Sequence, residues 1–259
     1  MAVLLVDDSD GVRTLTLNRP ESFNSLTVEL KEQLLAALTD AGAEPTVRSV
    51  VLTGAGKAFC SGQDLKEHVA ALRDEDPEPF RTVAEHYNPI VRAITTMPKP
   101  VIAAVNGMAA GAGASFAYAC DLRVAAPTAK FLMAFATIGL TADSGASWTL
   151  PRLIGYGRAM EMMLLARPVV AEEALRLGMV TQVADDALST AHELASRMAA
   201  GPTTGYARIK EAVLFAAGVE LAAALDGEEA GQRSLGGSPD HREAVEAFVS
   251  KREPRFVGR

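Results

Sequence analysis

Twice in this chain a short apolar run ends in glycines that lead into a helix, and this constrains the fold more than any other feature. The first case is 53–66, Thr-Gly-Ala-Gly-Lys-Ala-Phe-Cys-Ser-Gly-Gln-Asp-Leu-Lys, and the second is 105–115, Val-Asn-Gly-Met-Ala-Ala-Gly-Ala-Gly-Ala-Ser. Short buried strands are predicted just before them, at 49–53 and 101–105, and two more at 122–125 and 131–133. Strand, turn and helix recur without a sequence repeat, which argues an α/β fold.

The flanking segments fit that reading. Residues 2–6 and 12–17 are apolar or alternating around Asp10-Gly11, a hairpin signal. Leu30, Leu34, Leu35 and Leu38 recur at helical spacing from about Thr27. A helix is predicted over 82–96, stopped by Met97-Pro98-Lys99-Pro100, and a small-residue helix over about 110–119. From about residue 187 the chain reads as helical to its end, punctuated at Gly201-Pro202 and Gly236-Gly237-Ser238-Pro239. This sets a soft boundary near residue 200, between a core over 1–200 and a helical part over 201–259. The charged, Pro-containing stretch 66–81 is expected to be a solvated, mobile flank.

Composition excludes several functions. The net charge is −7 with no basic stripe, so nucleic acid and anionic membranes are poor partners. Apolar runs such as 101–105 and 131–136 are too short to cross a bilayer. The N-terminus lacks a basic region and a long apolar run, so no secretory signal is expected and the protein reads as cytoplasmic. Cys60 and Cys120 have no metal-ligand spacing and are expected to be small buried hydrophobes. His68, His86, His192 and His241 share no spacing and are expected to be surface or satisfied polar groups, so no metal site is expected.

Neither glycine segment is a nucleotide loop. Lys57 is followed by Ala58, which breaks a phosphate-loop pattern, and Phe116 stands where a dinucleotide fingerprint needs a small residue. No acid follows at the ribose position; Met133 and Ala134 are there. The first segment by itself is equally an ordinary turn. Two amide-bearing turns in one α/β core instead suggest a paired hole for a negatively charged oxygen, with main-chain donors at Gln63 and Ala112.

Six segments carry a resemblance: LNRPESFNSLT (17–27), AFCSGQDLKE (58–67), PKPVIAAVNGMAAGAG (98–113), ACDLRVAAPTAKF (119–131), LPRLIG (150–155) and EAFVSKREPRF (246–256). In order and content they resemble the crotonase (enoyl-CoA hydratase/isomerase) superfamily over nearly the whole chain. That resemblance implies a ββα-spiral core, a C-terminal helical trimerisation part, and homotrimers or hexamers. It implies an acyl-CoA thioester as substrate, with no cofactor beyond its coenzyme A moiety. The thioester oxygen is expected on the Gln63 and Ala112 N–H groups. Ser61, Gln63, Asp64, Leu65, Lys66 and Tyr87 are expected to contact coenzyme A or substrate, and Lys251 a coenzyme phosphate in its own or a neighbouring subunit.

Departures from the family pattern sort the reaction. Similar hydratases use two glutamates on one water, and this chain has Ser115 and Phe135 at the matching positions. Asp143, in Gly-Leu-Thr-Ala-Asp-Ser-Gly-Ala-Ser-Trp-Thr-Leu-Pro (139–151), and His86-Tyr-Asn-Pro89 resemble an isomerase branch. That branch acts on ring-1,2-epoxyphenylacetyl-CoA and shifts 3-enoyl-CoA double bonds, with the matching aspartate as acid/base. The expected mechanism is an enolate held by two amides while Asp143 moves a proton, inside an apolar surround of Phe135 and Trp148. The competing reading of Asp143-Ser144-Gly145 is a cap for the following helix. Asp64 is a cap candidate as well.

Overall fold

The computed structural model describes residues 2–74 and 77–259. Strands β1 (Leu4–Ser9) and β2 (Val12–Leu17) form the expected hairpin around Asp10-Gly11, paired from Leu4↔Leu17 to Ser9↔Val12. β2 then pairs in parallel with β3 (Ser49–Gly54). The six-stranded sheet continues in parallel through β5 (Val101–Val105) and β7 (Leu122–Ala125) to β10 (Gln182–Val183).

A second, four-stranded sheet runs β4 (Ala58–Cys60), β6 (Met108–Ala110), β8 (Lys130–Leu132), β9 (Val169–Val170). β4 and β6, unlike β8, were not foreseen from the sequence. At three residues each, neither is long enough to display an alternating pattern. β3, β5 and β7 of the first sheet each feed a short strand of the second and then a helical segment. So β3 and β4 lead to α2 (Leu65–Arg73), and β5 and β6 lead to α4 (Ala112–Ala119). The ββα unit is therefore the repeat, and the helix starts gather beside the small sheet.

The strand side chains alternate between two apolar layers, as a buried parallel sheet requires. Val51, Ile102, Ala104 and Val124 face α8 (Ala187–Ala199), whose stripe Ala187, Ala191, Ala195 and Ala199 lets the helix lie close. Leu15, Val50, Leu52 and Ala103 face the main core with Leu30, Leu34 and Leu38 of α1 (Val28–Ala43). α1 starts where expected, with the Thr27 side chain accepting from the Leu30 N–H.

The helix expected over 82–96 is divided. Val83–Tyr87 is a π-helical turn, with the Asn88 N–H bonded to Val83 O, and α3 (Asn88–Thr96) follows. Pro89 explains this, because it cannot donate to the preceding turn and its ring crowds that turn. Within the stretch expected to be a mobile flank, α2 is a helix capped by Asp64, while Glu75 and Asp76 lie outside the described residues.

The C-terminal region departs from expectation at its end. α9 (Thr203–Ala216), α10 (Leu221–Leu235) and α11 (Pro239–Val249) are helical, but the last residues are a non-helical tail. Pro254 and Gly258 do not favour a helix there. The Asp240 carboxylate accepts from the Val257 and Gly258 N–H groups, and Arg48 donates to Phe256 O, tying the tail to the core. α9 is anchored by Lys210, whose Nζ lies 2.7 Å from Asp121 Oδ2 at the start of β7.

Candidate active site

A cavity of about 1020 Å³ opens beside the small sheet, where the helix starts gather. Ser61, Gln63, Asp64, Leu65 and Lys66 line it from the first glycine turn, Ala112 from the second, and Phe135 and Asp143 from the later loops. Two glycines bring the turns together. Gly62 has φ +90°, and a Cβ built on it would lie 2.9 Å from Ala110 O and 3.6 Å from Ala112 N, so only glycine allows this approach. Gly113 presses α4 onto β4; a Cβ there would sit 2.4 Å from Cys60 O.

Both turns carry an unengaged amide. Leu26 and Gln63 form a parallel bridge whose bonds run from the Leu26 N–H to Gly62 O and from the Asp64 N–H to Leu26 O. This register skips the Gln63 N–H. Ala112 is the first residue of α4, after Gly111, so its N–H has no acceptor within the helix. The Ala112 N–H also carries the favourable end of the helix dipole. Two unspent donors on neighbouring turns are what a developing oxyanion needs.

Among the described residues, three carboxylates line the cavity: Glu21, Asp64 and Asp143. Glu21 is exposed. Asp64 is fully committed: its Oδ2 accepts from Arg19 at 2.9 Å and Ser25 at 2.8 Å, and its Oδ1 accepts from the Lys66 N–H at 3.0 Å. Burial pushes the Asp64 carboxyl up, but these hydrogen bonds outweigh it and hold the group below the usual carboxylate range.

Asp143 is the reverse case. Burial raises its pKa, and a single hydrogen bond from Ser144 Oγ to Oδ1, 2.8 Å, offsets this in part. It does not cap α5 (Ala146–Ile154), whose N-cap is Gly145 with no side-chain cap bond. The capping alternative therefore has no support, and Asp143 is left as a partly desolvated carboxyl facing an apolar cavity.

Of the remaining predicted residues, Phe135 lines the cavity, whereas Ser115, Trp148, Tyr87 and Lys251 stand outside the lining. Ser115 is fully buried and donates to Gly111 O at 3.0 Å, so it only reinforces the start of α4. Phe135 puts its ring where the second hydratase acid is expected, with Cζ 3.8 Å from a Cβ built on Gly111. Trp148 corrects the expected apolar surround: it is 40% exposed under the Arg152 guanidinium, 4.0 Å away, on the outward face of α5. Tyr87 is fully buried behind the cavity wall and does not line it. Lys251 stands at the exposed end of α11, away from the cavity of its own chain.

The cysteines are buried and unpaired, and burial pushes Cys60 up to about 12, so neither is a nucleophile. Sequence reasoning missed His68, Phe80 and Asn88 in the lining. His68 was expected to be a surface or satisfied group, yet its Nδ1 is buried without a partner and its ring lies 5.2 Å from that of Phe80. The available signal was its place one turn beyond Asp64, on the helix that opens at the first glycine turn.

The ββα architecture that builds this cavity is shared with known enzymes. The profile of the enoyl-CoA hydratase/isomerase family matches residues 7–259, so the chain belongs to that family, which acts on acyl-CoA thioesters. It is 45% identical to 1,2-epoxyphenylacetyl-CoA isomerase of Escherichia coli (strain K12), over 100% of both chains. A protein of Rhodobacter capsulatus named "Probable enoyl-CoA hydratase" is 44% identical over 97% of this chain and 96% of its own. The crystal structure of an enoyl-CoA hydratase from Polaromonas sp. JS666 superposes with a TM-score of 0.93, at 35% identity over 98% of this chain and 99% of that one.

Proposed function

We propose that this protein is an acyl-CoA double-bond isomerase, with Asp143 as the proton carrier and the Gln63 and Ala112 N–H groups as the oxyanion hole. The observation that carries this reading is Asp143, among the described residues the single uncommitted, half-buried carboxyl in the cavity. Its pKa is raised by burial, while the positions matching the two hydratase acids hold a buried serine and a phenylalanine.

The chemistry follows from that count. Hydration needs one group to activate water and another to protonate the α-carbon. Isomerisation needs only one. Asp143 takes a proton from the carbon next to the thioester of a 3-enoyl-CoA, and the C–H electrons flow into a dienolate whose oxygen rests on the two amides. The same carboxyl returns the proton two carbons further on, so the double bond moves into conjugation and Asp143 is regenerated. The apolar wall around Phe135, Ile138 and Ala142 excludes water from the intermediate. No cofactor or metal enters the cycle. The full-length likeness to the E. coli isomerase supports a ring-derived acyl group, a 1,2-epoxyphenylacetyl thioester, within the same class.

Ser61, Leu65 and Lys66 are assigned to the coenzyme A moiety. α9–α11 expose Ile209, Val213, Leu221, Val245 and Phe248 to solvent in the single chain, which supports self-association as a homotrimer or a hexamer. In such an assembly the exposed Lys251 is available to a neighbouring copy's coenzyme phosphate. Offering 3-enoyl-CoA and 2-enoyl-CoA separately and identifying the products tests the activity. Asp143→Asn should abolish isomerisation and leave coenzyme A binding intact. Turnover retained in that variant, or hydration as the main reaction, overturns the reading.

A further inference from the structure

We propose that the Tyr87 hydroxyl is a positioning group for Asp143, donating a hydrogen bond to its carboxylate when an acyl chain fills the cavity. This rests on the reading of Asp143 as proton carrier. Tyr87 ends the π-helical turn Val83–Tyr87, and single π turns inside helices recur at functional sites. The turn drives the ring inward until it is 0% exposed. Phe116 of α4 meets it edge-on with centroids 6.0 Å apart, and Lys31 Nζ of α1 lies 5.3 Å from its centroid.

With that much packing, a phenylalanine would serve as well. Yet the hydroxyl is present and buried, and among the described residues it makes no hydrogen bond of good geometry, although Thr82 stands close to it. An unsatisfied buried donor is unfavourable, so a native chain that keeps one invites a functional explanation. The neighbours of Tyr87 indicate where it acts. Val83 and Asn88, on either side of it in the chain, line the cavity together with Asp143. Val91, one turn further along α3, lies 3.3 Å from a Cβ built on Gly145. The element that carries Tyr87 therefore packs against the loop that carries Asp143.

The charged and titratable groups facing Tyr87 are Lys31 from α1, Cys60 from β4, Glu67 from α2 and Asp143. Burial raises the phenol's pKa most, and the Asp143 charge raises it further, so the group stays a neutral donor. Lys31 is held by Thr82 Oγ1 at 2.6 Å, and that hydroxyl also lies 3.2 Å from His86 Nδ1. A fixed cation on the ring face withdraws electron density and strengthens the hydroxyl as a donor. The described hydrogen bond to Asp143 uses Oδ1, which leaves Oδ2 for a second donor. Catalytic hydrogen bonds are often long without ligand and tighten in the complex.

Tyr87→Phe tests this by separating stability from chemistry. The variant should melt at the same temperature or higher, because an orphaned hydroxyl is removed. Its kcat should fall about tenfold, KM should change less than about twofold, and the acidic limb of the rate profile should move up by about one pH unit, since the carboxylate loses a stabilising donor. In complex with a saturated acyl-CoA, the ¹³C resonance of the Asp143 carboxyl should titrate at correspondingly higher pH. A wild-type rate with an unmoved limb and titration overturns the inference, as does a lowered melting temperature with the limb unmoved, which would mark a structural hydroxyl. Activity in Asp143→Asn would remove the functional reading itself. An inactive Asp143→Asn beside an unperturbed Tyr87→Phe removes only this inference.

Discussion

Asp64 and Asp143 line the same cavity, and everything that separates them comes from the backbone that holds them. Asp64 sits at the cap of α2 and receives Arg19, Ser25 and the Lys66 N–H, so its charge is neutralised in place. Asp143 sits on a loop whose following helix is capped by glycine, and it receives only Ser144. The first is a structural anion with a depressed pKa and the second a basic carboxyl with a raised one. Two identical side chains are given opposite work by hydrogen-bond supply. That contrast sets the order of the tests that follow.

The largest effect should fall on Asp143. Asp143→Asn keeps the shape and the Ser144 contact but cannot accept a proton, so turnover should drop by at least ~10³-fold in a steady-state assay, in line with loss of a positioned base. Its stability should respond in the opposite sense. A carboxyl whose folded pKa is raised binds its proton more tightly in the native state. Its contribution to stability therefore falls as pH climbs from about 4 through the raised folded value. Asp143→Asn should remove that decline and melt at an equal or higher temperature at neutral pH. Active, destabilised Asp143→Asn protein would break the comparison.

Next is the hole that Asp143 works against. Ala112 occupies the first helical position, where proline is tolerated because the N–H has no intrahelical partner. Ala112→Pro therefore deletes one proposed donor while keeping α4. Its rate should fall ~10²–10³-fold, as for loss of one oxyanion donor. Circular dichroism should be unchanged, since the lesion is a missing N–H. An active proline variant would transfer the oxyanion to other donors.

How much of this was legible in the chain varies with the kind of interaction. The alternation of 12–17, the apolar runs 49–53 and 101–105, the Asp64 cap and the glycine turns are local, so they declared themselves. The short strands Ala58–Cys60 and Met108–Ala110 did not, because three residues show no period and their order comes from pairing with each other. The glycine chemistry pointed to main-chain donors at Gln63 and Ala112, and the structure leaves both N–H groups outside the bridge and helix bonding around them. Their approach through Gly62 is a tertiary fact. Trp148 was misjudged because residues 146–154 form a helix, and helical phase turns position 148 outward. Tyr87 was expected to meet substrate and lies instead behind the wall, where the Pro89-driven π turn put it.

Asp64 should show a stability effect with a smaller kinetic one. Asp64→Ala removes a helix cap and leaves Arg19 without its partner, at a combined cost of about 2–3 kcal/mol by denaturant titration. The pH dependence mirrors that of Asp143. A depressed folded pKa contributes stability that is fully present above about pH 4 and is lost as pH falls through the folded value. The variant should therefore lose the part of its acid sensitivity that lies below about pH 4. Catalysis should drop only through displacement of the Gln63 turn. A ~10³-fold rate loss in a folded Asp64 variant would place proton transfer at the wrong carboxyl.

The smallest effect is the sharpest probe of the contrast. Ser144→Ala deletes the 2.8 Å bond to Asp143 Oδ1 and leaves burial as the influence on that carboxyl. A hydrogen bond to an ionised group is worth about 1.5–3 kcal/mol, and one pKa unit is 1.36 kcal/mol, so the acidic limb of the rate profile should rise by about one to two units. Below that limb the variant should be several-fold slower, because more of the enzyme holds a protonated Asp143. Above it the rate should return towards wild type, and a carboxylate carrying one donor fewer is the stronger base. The change thus moves Asp143 further from Asp64 along the axis that distinguishes them. A limb that stays in place would mean that burial alone sets the base, and that Ser144 shapes only the loop.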